Sequence, residues 1–389
     1  MKTVLFATRT VPELVPLSGS PCLALLSVAC KPLIVHTIEA LARAALTDIM
    51  VVVSPGADAI EEALSDGARW GMRFEYVLAT ATESDGRVIE RIRHQLRDEY
   101  LAVRGEILRT PIIAEFIQQA RSTEARSIAA AIRGVDAGVR LIRDGTKRPE
   151  VGSRGSASRR NRAKGEIKIE FPKARLSMLD SLQAFHRANL DILAGHFAGL
   201  VIPGREVAPK VRVGRHTNLP GHAIKAAPLL IGERCSIAES AELGGEVVIS
   251  NNVVIDRRAM IRSSVIMPNT YIGELVEVTN AIVAGNRLIH IDTGTNTIVT
   301  DDFLLASIHG VEIGGQVRDA IDRVIGAALL GASLCLWPIA LIAAMAANPR
   351  KPLRMRRLVG NRKLGSANSE FRAFEFATPA PLLRYLPYL

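Results

Sequence analysis

From Leu230 to Ile282 an aliphatic residue returns at every sixth position: Ile231, Ile237, Leu243, Ile249, Ile255 and Ile261 keep the step without a slip. A second row, Cys235, Ala241, Val247, Val253, Ala259 and Val265, repeats it, and after one deletion the rhythm resumes as Ile266, Ile272 and Val278. A period of six fits neither an isolated helix nor a plain hairpin. It fits a coil of three short strands, each giving the interior one aliphatic and one small residue. Coil stacked on coil then buries a continuous column of side chains. Gly232-Glu233-Arg234 and Ser250-Asn251-Asn252 fall where such a coil needs tight corners. Val213 and Leu219 carry the step backward, so an irregular first coil is expected from about Val211.

The remaining chain is long enough for further domains, since the sequence has 389 residues. Its net charge of +10 is unevenly placed: residues 147–164 carry +6 and residues 350–389 carry +7, which leaves the rest at −3. Basicity confined to a linker and a tail, with only 4% aromatics, argues against a nucleic-acid-binding face. Cys22, Cys30, Cys235 and Cys335 show neither metal-ligand spacing nor a disulfide framework, which points to a reducing compartment. Thr8-Arg9 ends the first apolar run too soon for a signal peptide.

Residues 1–145 alternate strand-like runs with helical spacing, as an α/β layer does. Strands are expected at Lys2–Phe6, Ile49–Val53, Phe74–Leu78 and Tyr100–Val103, with helices at Ile34–Ala45, Asp58–Leu64, Arg87–Leu96 and Ile112–Ala120. The carboxyl ends of such strands are where ligands bind. Residues 146–166 form a basic Gly/Ser/Arg linker without apolar residues to bury. Residues 167–210 are expected to brace the first coil through a helix spanning Leu176–Leu193, and 211–315 form the solenoid.

Lys31-Pro32-Leu33-Ile34-Val35-His36, then Asp48–Val53, Trp70–Tyr76 and Tyr100–Glu106, resemble the nucleoside-diphosphate-sugar pyrophosphorylases in that order. The likeness covers roughly residues 1–310 and implies a Rossmann-like, GT-A-like nucleotidyltransferase sheet followed by a left-handed parallel β-helix. It also implies a nucleoside triphosphate and a sugar 1-phosphate as substrates, with Mg²⁺ as cofactor. Where that family has a Gly-rich phosphate loop, this chain has Ala7-Thr8-Arg9-Thr10-Val11-Pro12-Glu13, which leaves Arg9 as the candidate phosphate contact. The family's phosphate-neutralising lysine falls in Cys22–Val28, where this chain has only apolar residues and Ser27. Its Gly-Asp metal position reads Gly105-Glu106, so Glu106 is the candidate metal ligand, against the plainer reading of a solvated strand-end carboxylate.

Val324–Ala347 holds no charge over 24 residues and is followed by Arg350, Lys351, Arg354, Arg356 and Arg357. That length suits a bilayer, and Pro338 beside Trp337 permits a re-entrant hairpin with both ends on the cytoplasmic side. Residues 316–389 are therefore expected to be a membrane-associated helical segment with a basic tail, at the cytoplasmic face of a bacterial inner membrane. Asp322–Ile325, Arg357–Asn361 and Phe371–Phe376 resemble the opening of bacterial polyprenyl-phosphate sugar transferases, without that family's downstream catalytic pair.

Two main functions remain open. One is a sugar-1-phosphate nucleotidyltransferase of exopolysaccharide or nucleotide-sugar biosynthesis with an eroded phosphate loop. The other is a catalytically inactive, membrane-associated scaffold or regulatory subunit of a polysaccharide pathway, and under either reading the solenoid is a candidate surface for homo-oligomerisation. Hexad solenoids also occur in acyltransferases, for which His216, His222, His290 and His309 are the candidate general bases.

Overall fold

A computed structural model describes residues 1–18, 22–54, 58–80, 83–96, 98–143, 166–308, 342, 344–347, 353–359 and 370–376. They fall into two units, Met1–Ile308 and His309–Leu389.

The first unit opens with a seven-stranded sheet in the order Glu166–Glu170, Ser127–Ile132, Val135–Arg143, Glu99–Arg104, Lys2–Ala7, Asp48–Val53, Arg73–Leu78. Lys2–Ala7 is central, with parallel partners on both sides. Its alternate residues feed two cores. Leu5 and Ala7 pack with the helices Leu33–Arg43 and Ile113–Arg121, while Val4 and Phe6 pack with the helix Asp85–Ile92. Unbroken apolar strands are what a sheet covered on both faces requires. The outermost strand, Glu166–Glu170, comes from beyond the basic segment and runs parallel to Ser127–Ile132.

The solenoid follows, its coils pairing in parallel along three sheets, two of which add antiparallel strands at their ends. Leu229 pairs with Val247, Ile237 with Ile255 and Leu243 with Ile261, each 18 residues on and therefore three six-residue steps per coil. From Val248 pairing with Val265 onward the offset is 17. The deletion thus lies between Ile261 and Val265, earlier than the periodicity suggests. Val265 turns outward, and Ser264 takes the small interior place, where its hydroxyl donates to the Arg262 carbonyl at 2.6 Å and accepts from the Ala281 amide at 3.1 Å. That pairing satisfies a polar atom that burial would otherwise penalise.

The helix expected from Leu176 begins at Leu182, after Ser181 caps it by accepting from the Ala184 amide at 3.1 Å. Leu176–Ser177 instead pairs with Leu108–Arg109. The helix, Leu182–Leu193, braces more than the first coil. Phe185, Ala188 and Ile192 share a core with Leu230, Val248, Val265 and Ile282, one residue from each of four successive coils.

Coil corners use the left-handed backbone region. His216, Arg234, Asn252 and Asn269 recur at one corner, Arg258 and Leu275 at a second, and Gly245, Ser263 and Asn280 at a third. Asn and Gly suit that region and leucine does not. Leu275 has φ +62° and is 64% exposed. Leu275→Asn is therefore expected to raise stability by roughly 0.5–1 kcal/mol in urea unfolding.

In the second unit, Leu353–Val359 pairs antiparallel with Glu370–Phe376. Arg354, Arg356 and Arg357 thus stand in a β-hairpin, which the reading of this region as a helical segment with a basic tail did not include. The alternation of Leu353 and Met355 with Arg354 and Arg356 carries the strand period. Among the described residues no helix is long and apolar enough to cross a membrane. Trp337, Pro338, Arg350, Lys351, His309, the linker at 147–164 and most of Val324–Ala347 lie outside the described residues.

Candidate functional site

The carboxyl edge of the sheet brings together the ends of Lys2–Ala7 and Glu99–Arg104 and the start of the helix Asp85–Ile92. There a cleft of about 380 Å³ is lined by Phe6, Asp85, Arg104, Asp136, Gly138 and Arg140, among others. Its charges are paired, Arg104 with Asp85 and Arg140 with Asp136. Gly138 has φ +67°, and a Cβ there would lie 2.6 Å from Ile107 Cδ1. Only glycine fits that floor.

Arg9 and Glu106, neither of which lines this cleft, meet each other, but not as two groups awaiting a ligand. The Arg9 backbone amide donates to Glu106 Oε1 at 2.7 Å, and the Arg9 guanidinium donates to the Met178 carbonyl at 2.5 Å. Glu106 is 0% exposed rather than a solvated carboxylate, and its Oε2 has no partner among the described residues. Burial pushes its carboxyl above the ordinary value, opposed by the Arg9 amide and the Arg104 charge.

Arg109, which belongs to none of the motifs in the sequence, holds the turn that carries Glu106. Buried beneath it, the guanidinium donates to the carbonyls of Arg104 at 3.0 Å, Ala137 at 3.2 Å and Ile107 at 3.4 Å. Desolvation pulls it down to about 10 while Glu106 and Asp136 support its charge. These hydrogen bonds, with one from Nη2 to the Thr37 hydroxyl at 3.4 Å, offset part of the cost of burying the charge, while its Nε has no partner among the described residues.

After Arg9 the chain becomes a strap. Val11, Leu14, Leu17, Leu23, Leu26 and Val28 are buried in the core shared with the helix Leu182–Leu193 and the solenoid. Polar contacts fasten its far end, the hairpin Ser27–Val28/Lys31–Pro32. The Ala29 amide donates to Asn189 Oδ1 at 2.8 Å, the Asn251 side chain to the Cys30 carbonyl at 3.3 Å, and the Cys30 thiol to the Ile249 carbonyl at 3.2 Å. His36 bonds the Val28 carbonyl through Nε2 at 3.0 Å. Burial and the Lys31 charge lower its pKa to about 3, so it is neutral and donates there. This stretch joins the sheet to the solenoid.

Among the described residues no three His, Cys, Asp or Glu side chains gather as a metal site. One fully buried carboxylate tied to an amide does not fit Mg²⁺, which requires near-octahedral oxygen ligation. His216 and His222 are exposed near the first coils and His290 lies in the strand Arg287–His290 beyond the last, so the described histidine candidates are not gathered at one place.

Residues 8–137 match the family described as Nucleotidyl transferase, and residues 225–313 match the GMPPB C-terminal domain. A glucose-1-phosphate thymidylyltransferase of Streptomyces griseus is 34% identical over 77 residues, which is 20% of this chain and 22% of that protein. One from Streptomyces antibioticus is 31% identical over 77 residues, with the same coverage. The chain therefore matches less than a quarter of the length of these curated relatives. A Bacillus anthracis structure described as a glucose-1-phosphate thymidylyltransferase, in complex with sucrose, has 15% identity and a TM-score of 0.41, covering 49% of this chain and 94% of its own.

Proposed function

We propose, from a nucleotidyl transferase domain joined to a GMPPB-type C-terminal domain, that this chain binds nucleoside and sugar phosphates at the carboxyl edge of its sheet with the transfer step lost. The observation that carries this reading is the strap. Val11, Leu14, Leu17, Leu23, Leu26 and Val28 are buried in the core shared with the solenoid, and Glu106 Oε1 is occupied by the Arg9 amide. A phosphoryl transition state needs preorganised donors and cations around its oxygens. Here the nearby cationic side chains, Arg104 and Arg140, are paired with carboxylates.

Equilibrium dialysis of the full chain against a panel of nucleoside triphosphates and sugar 1-phosphates tests the binding half. Saturable binding that Arg140→Gln weakens by about 10-fold is expected. No binding across the panel would sink the reading.

A place in polysaccharide assembly at the membrane belongs to the same proposal. It is supported by the uncharged run of 24 residues and the basic cluster that follows it. The full chain is expected to sediment with inner-membrane vesicles in high salt, whereas a chain ending at Ile308 stays in the supernatant. A full chain that remains soluble contradicts the membrane contact.

A further inference from the structure

A second cavity, of about 340 Å³, shares no lining residue with the cleft. Arg133, Arg175 and Arg187 line it from three different elements, over apolar walls that include Ile132, Leu176 and Phe197. None of the three guanidiniums has a hydrogen-bonding or ion-pairing partner among the described residues. The one carboxylate in the lining, Asp191, bonds His196 Nδ1 at 3.0 Å. Arg133 and Arg187 are exposed and Arg175 is half-buried, and three arginines against one carboxylate leave an excess of positive charge at this cavity.

The backbone holds two of these arginines firmly. Arg175 is clamped on both sides by Thr110, whose amide donates to the Arg175 carbonyl at 3.0 Å and whose hydroxyl accepts from the Arg175 amide at 3.0 Å. Arg133 sits in the two-residue turn between Ser127–Ile132 and Val135–Arg143, with φ +53° at Arg133 and +79° at Gly134. Asn-Gly is the favoured pair for a turn with both φ values positive, and an arginine there costs conformational energy.

We propose that this cavity binds a small phosphate monoester, with the phosphate on the three arginines and its organic body against the apolar wall. Guanidinium forks match phosphate oxygens in geometry as well as charge. The volume admits a body no larger than a hexose or a nucleoside. This site is separate from the cleft and does not depend on what binds there.

Isothermal titration of the full chain with glucose 1-phosphate, UMP and inorganic phosphate tests it. At least one monoester is expected to show a component that Arg187→Ala and Arg175→Gln each weaken by roughly 10-fold or more, and that Arg140→Gln in the cleft leaves unchanged. Arg133→Gly is expected to weaken the same component while raising the melting temperature by about 1–3 °C, because it relieves the turn. A merely structural arginine would not move those two readouts in opposite directions. The proposal is overturned if no monoester component responds to Arg187→Ala or Arg175→Gln, or if inorganic phosphate binds as tightly as either monoester.

Discussion

Replacing Phe185 with alanine is expected to destabilise the first unit by about 3–5 kcal/mol, the cost of emptying a large side chain from a packed interior. Phe185 is 0% exposed and belongs to the core where the strap, the helix Leu182–Leu193 and the solenoid meet. The loss therefore also weakens the coupling between sheet and solenoid, and denaturant unfolding of Phe185→Ala is expected to separate into two transitions. A single transition within about 1 kcal/mol of the parent would contradict the role given to the strap.

Glu106 gives the second large effect, and its sign with pH is specific. Glu106→Ala leaves the Arg9 amide without its acceptor and is expected to cost about 1–3 kcal/mol. Glu106→Gln keeps an acceptor oxygen and removes the buried charge, so it should match or exceed the parent at neutral pH. Because burial raises the folded-state pKa of Glu106, its protonated form favours the fold. That contribution is complete below the ordinary carboxylate pKa and is lost as pH rises through the raised value. The stability advantage of Glu106→Gln over the parent is thus expected to shrink as pH falls from neutral toward the ordinary carboxylate range. An advantage independent of pH would mean that Glu106 is solvated after all.

How much of this was legible in the chain depended on whether a residue's role was local. The six-residue row from Ile231 to Ile261 was readable because each step places one aliphatic residue inside. Val265 misled the count, since the sheet that carries it is covered outside by the helix, and a valine suits either face. The four parallel strands of the nucleotidyltransferase-like sheet were visible as apolar runs. Glu166–Glu170 was hidden beyond the basic segment, and its apolar residues are too few to announce a strand. The strap could be read only as a phosphate loop without glycines. Its partners, Asn189, Ile249 and Asn251, lie 160 to 221 positions away, and no local pattern reports them. The same holds for Glu106, whose burial depends on Arg9 and Arg109 closing over one turn.

The most direct test of the account is release of pyrophosphate by the purified full chain, given Mg²⁺, a nucleoside triphosphate and a sugar 1-phosphate that it binds. The proposed function, with Val11, Leu14, Leu17, Leu23, Leu26 and Val28 packed as a strap, predicts that the chain binds these ligands and releases no pyrophosphate above the level of Glu106→Ala. Sustained release from the parent, abolished by Glu106→Ala, would contradict it.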